Sequence, residues 1–174
     1  ATATGAVRDD IKTLLRLVSP LVVTTGFDRP NLFFSVMQPK NKSIELMKLI
    51  KERKNESGIV YCSTRKAVEE VCELLQKNGF AATRYHAGLD ENERRRNQDD
   101  FVYDRATIMV ATNAFGMGID KSNVSFVIHY NMPKNMESYY QEAGRAGRDG
   151  RSADCILLYS AKDVRTNQFL INNS

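Results

Sequence analysis

From Ser57 onward, short apolar runs rich in β-branched residues alternate with longer amphipathic stretches. The short runs are nearly continuously apolar, which is typical of parallel strands that are buried on both faces. Strands that alternate with helices favour βαβ units, so we predict an α/β protein with a mainly parallel central sheet flanked by helices. The predicted strands are residues 58–62, 82–85, 107–111, 125–130 and 155–159, with a further strand at 32–37.

The amphipathic stretches predict helices between these strands. Residues 66–78 carry an apolar stripe and end at Gly79, which is a good C-terminal signal. Asp90 is expected to cap a helix that runs to about Phe101, with Glu93 reaching back to the cap. The remaining predicted helices are 7–17, stopped by Pro20, then 42–54 and 136–143, with a turn at 28–30.

Composition describes an ordinary globular chain of one compact domain. Its 174 residues are 42% hydrophobic and 26% charged, which allows a sizeable core and makes extended disorder a poor description. The formal net charge of +4 permits a nucleic-acid partner without requiring one. No apolar run reaches the roughly 20 residues that a membrane helix needs, so the sequence excludes a transmembrane protein.

Three cysteines, Cys62, Cys72 and Cys155, are too few and too irregularly spaced for a disulfide framework or a zinc site. A reducing compartment is the better expectation. The chain opens Ala-Thr-Ala-Thr, without an initiator methionine or the pattern of a secretion signal. We therefore expect a fragment of a longer protein.

Polar side chains follow three of the predicted strands. Ser63, Thr64 and Arg65 follow the first, His86 lies in the loop after the second, and Thr112 with Asn113 follows the third. Because parallel strands end at a common edge, hydroxyls, backbone amides and a guanidinium should meet there and bind nucleic-acid phosphates. Helix capping by Ser63 or Thr64 is the alternative, and the two roles are compatible.

Nucleotide-binding signals are incomplete. The chain contains no Gly-Lys dipeptide, so it cannot form a Walker A loop. Gly116 and Gly118 suggest a dinucleotide turn, but Lys121 takes the third glycine position and no helix follows. Asp120 could accept hydrogen bonds from a ribose, or it could be a solvated carboxylate in a plain turn.

The segment 141–150 is the most informative part of the chain. Arg145 and Arg148 lie three residues apart among three glycines, directly after a predicted helix. Two permanently charged planar forks suit a transferring phosphoryl group, so the functional interpretation is an arginine finger. The alternative is a basic solvated turn. We expect these arginines and the hydroxyl-bearing loops to share the edge of one sheet.

Other chemistry is not supported by the spacing of the reactive residues. His86 and His129 have no metal-ligand spacing, and His129 is expected to be structural within its strand. Cys62 and Cys155 lie in buried-strand patterns, where thiols are inert packing. Tyr139 and Tyr140 are expected to pack rather than to stack on bases. We predict no nucleophilic catalysis and no metal site.

Four segments in this order resemble the second RecA-like domain of superfamily 2 helicases, and specifically of the RecQ DNA helicases. Residues 58–66 resemble motif IV, 85–89 the family segment that follows it, 108–121 motif V and 139–150 motif VI. Thr2-Ala-Thr4 resembles the end of motif III, and residues 27–31 resemble the crossover between domains. The resemblance thus assigns residues 1–40 to the end of the first domain and the crossover, and 41–174 to the second domain.

The resemblance implies a RecA-like three-layer sandwich and specific roles for the site residues. Arg148 would be the arginine finger on the γ-phosphate, supported by Arg145 and Gln141, while Asp120 beside Gly118 would hold the ribose. The residues implied at single-stranded DNA are Ser63, Thr64, Arg65, His86, Thr112 and Asn113.

The resemblance further implies an ATP-dependent 3′–5′ DNA helicase of repair and recombination, located in a bacterial cytoplasm in preference to a nucleus. ATP and Mg²⁺ would be held mainly by the first lobe, and a zinc module would follow this chain, which itself holds no zinc. The chain alone should be inactive. A DEAD-box-like RNA helicase is one alternative, although its motif VI reads His-Arg-x-Gly-Arg where this chain has Gln141-Glu142. A non-catalytic nucleic-acid-binding module is the other.

Overall fold

A computed structural model describes residues 5–22, 28–116, 119 and 121–172. This part of the chain contains six strands and six helices, which alternate except that β5 follows β4 directly. The helices are α1 (Gly5–Leu14), α2 (Lys42–Glu52), α3 (Arg65–Lys77), α4 (Glu91–Val102), α5 (Met136–Ala143) and α6 (Ala161–Asn172). The strands are β1 (Leu32–Met37), β2 (Ser57–Tyr61), β3 (Ala82–Tyr85), β4 (Ile108–Ala111), β5 (Val124–His129) and β6 (Ala153–Leu158).

The six strands form one sheet in the order β1-β6-β5-β2-β4-β3, and every neighbouring pair is parallel. All six predicted strands are confirmed, with 32–37 and 82–85 matching at both ends and the others within two residues. The near-continuous burial of β2, β4 and β5 explains why their sequences read as apolar runs rather than alternating ones.

Two apolar clusters cover the two faces of the sheet and make a three-layer sandwich. On one face, α2 and α3 pack residues such as Leu46 and Leu75 against strand residues including Val60 and Ile128. On the other face, Phe101 of α4 and Ala143 of α5 pack with a different set of strand residues. The predicted α/β architecture, with helices flanking a parallel sheet, is confirmed.

Polar caps begin the helices at the places that the sequence marks. The side chains of Asn41, Thr64, Asp90 and Asn135 each accept a hydrogen bond from a backbone N–H in the first turn of the helix that follows. The prediction for Glu93 is wrong, because its carboxylate accepts from Arg84 of β3 instead of closing a capping box. The Arg84 guanidinium offers a charged partner, which is stronger than a backbone amide.

The structure differs from the predicted pattern at both ends of the chain. Helix α1 ends at Leu14, well before Pro20, and its residue Leu14 is exposed. Helix α6 was not predicted, because only Ala161 and Val164 are apolar among its first eight residues. None of the helices in the described residues is long and apolar enough to span a membrane.

Candidate functional site

The predicted grouping of polar loops at one sheet edge is confirmed. Strands β3, β4 and β2 are adjacent and in register, with Tyr85 opposite Ala111 and Ala111 opposite Tyr61. Beyond them the chain stays paired, since Thr112 N donates to Tyr85 O at 3.1 Å. The loops that follow, residues 63–65, 86–88 and 112–113, therefore lie side by side, and we call them the polar edge.

Within the polar edge, the three residues of the Ser63–Arg65 loop are exposed, and one of them also caps a helix. The Thr64 hydroxyl caps α3 by accepting from Ala67 N at 3.1 Å. Ser63 and Arg65 are exposed. The backbone N–H of Ser63 donates to Asn131 Oδ1 at 3.2 Å, so a residue that the sequence did not single out fixes this loop.

The 112–113 loop contains one residue that is bonded within the protein and one that is exposed. Thr112 is buried, and its hydroxyl accepts from Ala114 N at 3.4 Å. Asn113 is exposed beside it. A cavity of about 190 Å³ opens next to this loop, where Asn113 and Ser63 face Asn131 and Lys134. Asn131 and Lys134 follow β5, and neither belongs to the loops that the sequence predicts at the polar edge.

His86 is a buried residue of the polar edge. Its side chain is 6% exposed. Nδ1 accepts from Gly88 N at 3.1 Å, so the neutral ring carries its proton on Nε2, which lies 2.6 Å from Glu69 Oε1. A Cβ on Gly88 would lie 3.1 Å from Arg65 Cδ, which shows how closely the Arg65 side chain rests on this loop. His86 thus supports the surface against which Arg65 lies.

Residues 144–148, which we call the arginine turn, follow α5. Arg145 Nη1 donates to Gly116 O at 2.5 Å, and Arg148 Nη1 donates to Ile119 O at 3.1 Å. Both guanidiniums therefore reach the connection between β4 and β5. Gly116 has φ +140°, and any side chain at this position would overlap the Arg145 guanidinium.

The arginine turn does not lie at the polar edge, so the expectation of a shared edge is wrong. Gly147 N donates to Val124 O at 2.8 Å, which places the turn beside the start of β5. The polar edge lies at the opposite ends of the strands. Gln141, the third predicted catalytic residue, is exposed on α5 and donates to Glu137 at 3.2 Å.

A buried polar pair joins the end of β5 to α5, the helix that precedes the arginine turn. His129 is 1% exposed, and its Nε2 lies 2.9 Å from Glu142 Oε2. Its ring stacks on Tyr61 and meets the edge of Tyr139, so its predicted structural role and the packing of Tyr139 are both confirmed. Burial raises the pKa of Tyr61 well above its ordinary value, while the Arg145 guanidinium acts in the opposite direction.

The three thiols are buried, as the strand patterns predict for Cys62 and Cys155. Burial raises the pKa of Cys72 to about 11 and that of Cys155 to about 12, and it raises the pKa of Cys62 further. These thiols are protonated at neutral pH and therefore unreactive. Among the described residues, no group of three or more His, Cys, Asp or Glu side chains is arranged to hold a metal ion.

Several residues named from the sequence lie outside the described residues. These are Gly118 and Asp120, expected at a ribose, together with Thr2, Ala3, Thr4 and Phe27 of the segments that resemble motif III and the crossover. The neighbouring Lys121 is buried, and its Nζ donates to Asp104 Oδ1 at 2.6 Å.

Comparison with known proteins agrees with this geometry. In sequence, the chain is 48% identical over 174 residues to ATP-dependent DNA helicase RecQ of Bacillus subtilis, which covers all of this chain and 29% of that protein. It is 47% identical over 180 residues to ATP-dependent helicase wrn-1 of Caenorhabditis elegans, covering all of this chain and 17% of that protein. The chain thus spans less than a third of the length of these relatives.

In structure, the chain is similar to a Dbp5 variant of S. cerevisiae solved with Gle1 and IP6. The TM-score is 0.79 at 26% identity, over 100% of this chain and 47% of that one. The likeness supports the predicted RecA-like fold. The model of the helicase conserved C-terminal domain matches residues 41–150, which include the arginine turn and the polar edge. The chain therefore belongs to the helicase conserved C-terminal domain family, and its sequence is similar to those of proteins named ATP-dependent DNA helicase RecQ.

Proposed function

We propose that this chain is the C-terminal RecA-like lobe of an ATP-dependent 3′–5′ DNA helicase, supplying an arginine finger and part of a single-stranded DNA track. The observation that carries the proposal is the arginine turn. Arg145 and Arg148 extend from one glycine-rich turn toward one connection, 116–119, on the same face of the sheet. Two guanidiniums held together in this way provide converging donors for the charge on a transferring phosphoryl group.

ATP would lie between this lobe and a first RecA-like lobe, which would hold Mg²⁺ and most of the phosphate contacts. When bound, Mg²⁺ neutralises charge on the phosphate oxygens. The residues of this chain fit the complementary part: Arg148 is exposed and bears a permanent charge, and Arg145 braces the connection beside it. We propose Arg148 as the catalytic residue, with Arg145 and Gln141 in support and Asp120 with Gly118 at the ribose.

The polar edge would bind the backbone of the DNA strand. Ser63, Arg65 and Asn113 are exposed there and offer a hydroxyl, a guanidinium and an amide, the groups that contact phosphates without reading sequence. Thr64, Thr112 and His86 would act mainly by holding these loops, because each is engaged within the protein. Such a track fits a motor that must move along any sequence.

We propose a domain boundary earlier in the chain than residue 41. The segment 32–37, which the sequence assigned to the crossover, forms β1 and pairs in parallel with β6 along its full length. The second lobe would then begin with this strand, and the crossover would lie ahead of it. In the same protein, a zinc-binding module would follow the lobe. The protein would act where DNA is present, in the bacterial cytoplasm or in the nucleus.

Substitution of Arg148 tests the proposed role of the arginine turn. In the full-length protein, meaning this chain with everything that precedes and follows it in its gene, Arg148→Ala should lower DNA-stimulated ATP hydrolysis by about 10³-fold while leaving DNA affinity within about threefold. Arg151→Ala is the matched control, because Arg151 is exposed three residues away and its guanidinium pairs with Asp149. Equal loss of hydrolysis and DNA binding would show that Arg148 is structural.

Two measurements separate the alternatives. Stimulation of hydrolysis by single-stranded DNA should exceed that by single-stranded RNA of the same length, and the reverse order would favour an RNA helicase lobe. The 174-residue chain alone should show no DNA-stimulated hydrolysis. Turnover by the isolated chain that disappeared on Arg148→Ala would contradict the division of the ATP site between two lobes.

A further inference from the structure

Four backbone carbonyls in and after the arginine turn converge on two side chains from the start of the folded lobe. Arg29 Nη1 donates to Gly144 O at 3.2 Å, and Arg29 Nη2 donates to Ala146 O at 2.8 Å and to Gly147 O at 3.0 Å. Asn31 Nδ2 donates to Gly147 O and to Arg151 O, both at 2.8 Å. We call Arg29 and Asn31 the 29–31 clamp.

The chemistry of the clamp suits its geometry. A guanidinium presents donors in a fixed planar fork, so it can satisfy several carbonyls at once, whereas a lysine ammonium is a single point charge on a flexible stem. A half-buried carbonyl that loses such a partner is left without a hydrogen bond, and its desolvation is then no longer compensated. The Arg29 guanidinium therefore determines the shape of the turn as well as adding to its stability.

The clamp and the sheet hold the turn from two sides. Gly147 N donates to Val124 O, while Gly147 O accepts from both clamp residues. Gly147 has φ +58°, and a Cβ there would lie 2.5 Å from Asn31 Nδ2. The backbone of the residue just before Arg148 is thus fixed in a left-handed conformation that only glycine adopts easily.

We propose that Arg29 and Asn31 are positioning residues for Arg148, and that they hold its guanidinium where a phosphoryl group is transferred. The inference rests on the proposed function of Arg148. A displacement of about 1 Å in a group that acts on a reacting atom can cost about 100-fold in rate, so a looser turn should slow catalysis without releasing substrate. The clamp would also tie the segment that enters this lobe to the residues that face ATP.

The test uses Arg29→Lys and Asn31→Asp in the full-length protein, because the first keeps the charge but loses the planar fork, and the second keeps the shape but replaces the donor by an acceptor. Each should lower kcat for DNA-stimulated ATP hydrolysis by about 10- to 100-fold, with KM for ATP and affinity for single-stranded DNA changed by less than about threefold. Arg53→Lys is the matched control: Arg53 is also a half-buried arginine, and it pairs with Asp154 and Leu49 O away from the turn. Its kcat should stay within about threefold of the parent.

A double variant distinguishes positioning from general stability. If Arg29 acts through Arg148, Arg29→Lys should have no further effect on the residual rate of Arg148→Ala, because coupled residues are not additive. The positioning role would be overturned if the losses in kcat of the two single variants multiplied in the double variant. It would also be overturned if Arg29→Lys had the same kcat as Arg53→Lys. A normal rate for Arg148→Ala would overturn the proposed function instead, so the two failures are distinguishable.

Discussion

The arginine turn and the polar edge are held by the fold in opposite ways. In the arginine turn, three carbonyls are bonded by the 29–31 clamp, and both arginines donate into the 116–119 connection. At the polar edge, Ser63, Arg65 and Asn113 are exposed above a few supporting bonds. One region is fixed in its backbone, while the other offers accessible side chains on supported loops.

The difference matches two chemical tasks. A group that stabilises charge on a single reacting phosphate gains from a fixed position, since orientation lowers the barrier. Groups that grip a polymer along its backbone must be accessible to a strand that changes register, and their contacts are individually modest. The variants below test whether the contrast in rigidity is real, beginning with the largest expected effect.

Gly147→Ala should damage the arginine turn more than any other single-methyl change discussed for this chain. The variant combines φ +58° with atoms 2.5 Å and 2.8 Å from the new Cβ, so we expect a loss of about 3 kcal/mol or more in the free energy of unfolding. Gly150→Ala is the control, because Gly150 has φ +84° with nothing within 4 Å. It should cost about 1–2 kcal/mol by urea denaturation, and equal losses would show that the clamp adds no constraint.

His86→Leu should have the next largest effect and should loosen the polar edge from below. It removes the partner of the Gly88 N–H and one partner of Glu69, which keeps its pair with Arg84, and this should cost about 1–3 kcal/mol of unfolding free energy. DNA affinity should fall as well, because Arg65 rests on this loop. His86→Gln, which keeps a donor and an acceptor, should recover part of both losses. Unchanged DNA affinity in His86→Leu would show that the 86–88 loop does not contribute to DNA binding.

Thr64→Ala and Ser63→Ala should dissociate stability from binding within one loop. Removing the Thr64 cap should cost about 1 kcal/mol of unfolding free energy, because the Ala67 N–H loses its acceptor. Ser63→Ala should change stability by less than about 0.5 kcal/mol, because Ser63 is exposed and donates to Asn131 through its backbone N–H, which alanine keeps. DNA binding in the full-length protein should weaken more for Ser63→Ala. The opposite ranking of the two affinities would argue against a direct contact by Ser63.

The smallest expected effect is a pH dependence outside both regions. The Lys121 ammonium, with help from Ser57, holds the pKa of Asp104 below its ordinary value of 3.8. A carboxyl whose folded-state pKa is lowered contributes stability above its unfolded pKa, and loses it as pH falls through the folded value. Asp104→Asn should therefore be less stable than the parent at neutral pH, with the difference shrinking in acid. Urea midpoints measured across that range would contradict this if the difference stayed constant.

The polar edge can be predicted from the sequence because it depends only on local strand patterns and on parallel pairing of the strands. The 58–62, 82–85 and 107–111 runs are recognisable as strands, and the loops after parallel strands lie at one edge wherever those strands fall in the sheet. The strand order itself, with β2 between β5 and β4, was not needed.

The arginine turn was misplaced for a reason that the sequence contains. Residues 144–152 connect α5 to β6, and a connection from a helix to the next parallel strand must return to the starting edge of the sheet. The 29–31 clamp is different in kind, because Arg29 lies 115 to 118 residues from its partners. The Asp-Arg-Pro segment reads only as a turn, and nothing in its local pattern indicates distant carbonyls.

The burial of the three thiols has a practical consequence for fluorescent labelling of this lobe. Since Cys62, Cys72 and Cys155 are buried and remain protonated, a maleimide dye should not react with them in the native chain. One cysteine introduced at exposed Asn113 would then be the only reactive thiol that the chain offers to the dye. Fluorescence from that single label would report on strand binding with the native cysteines left in place.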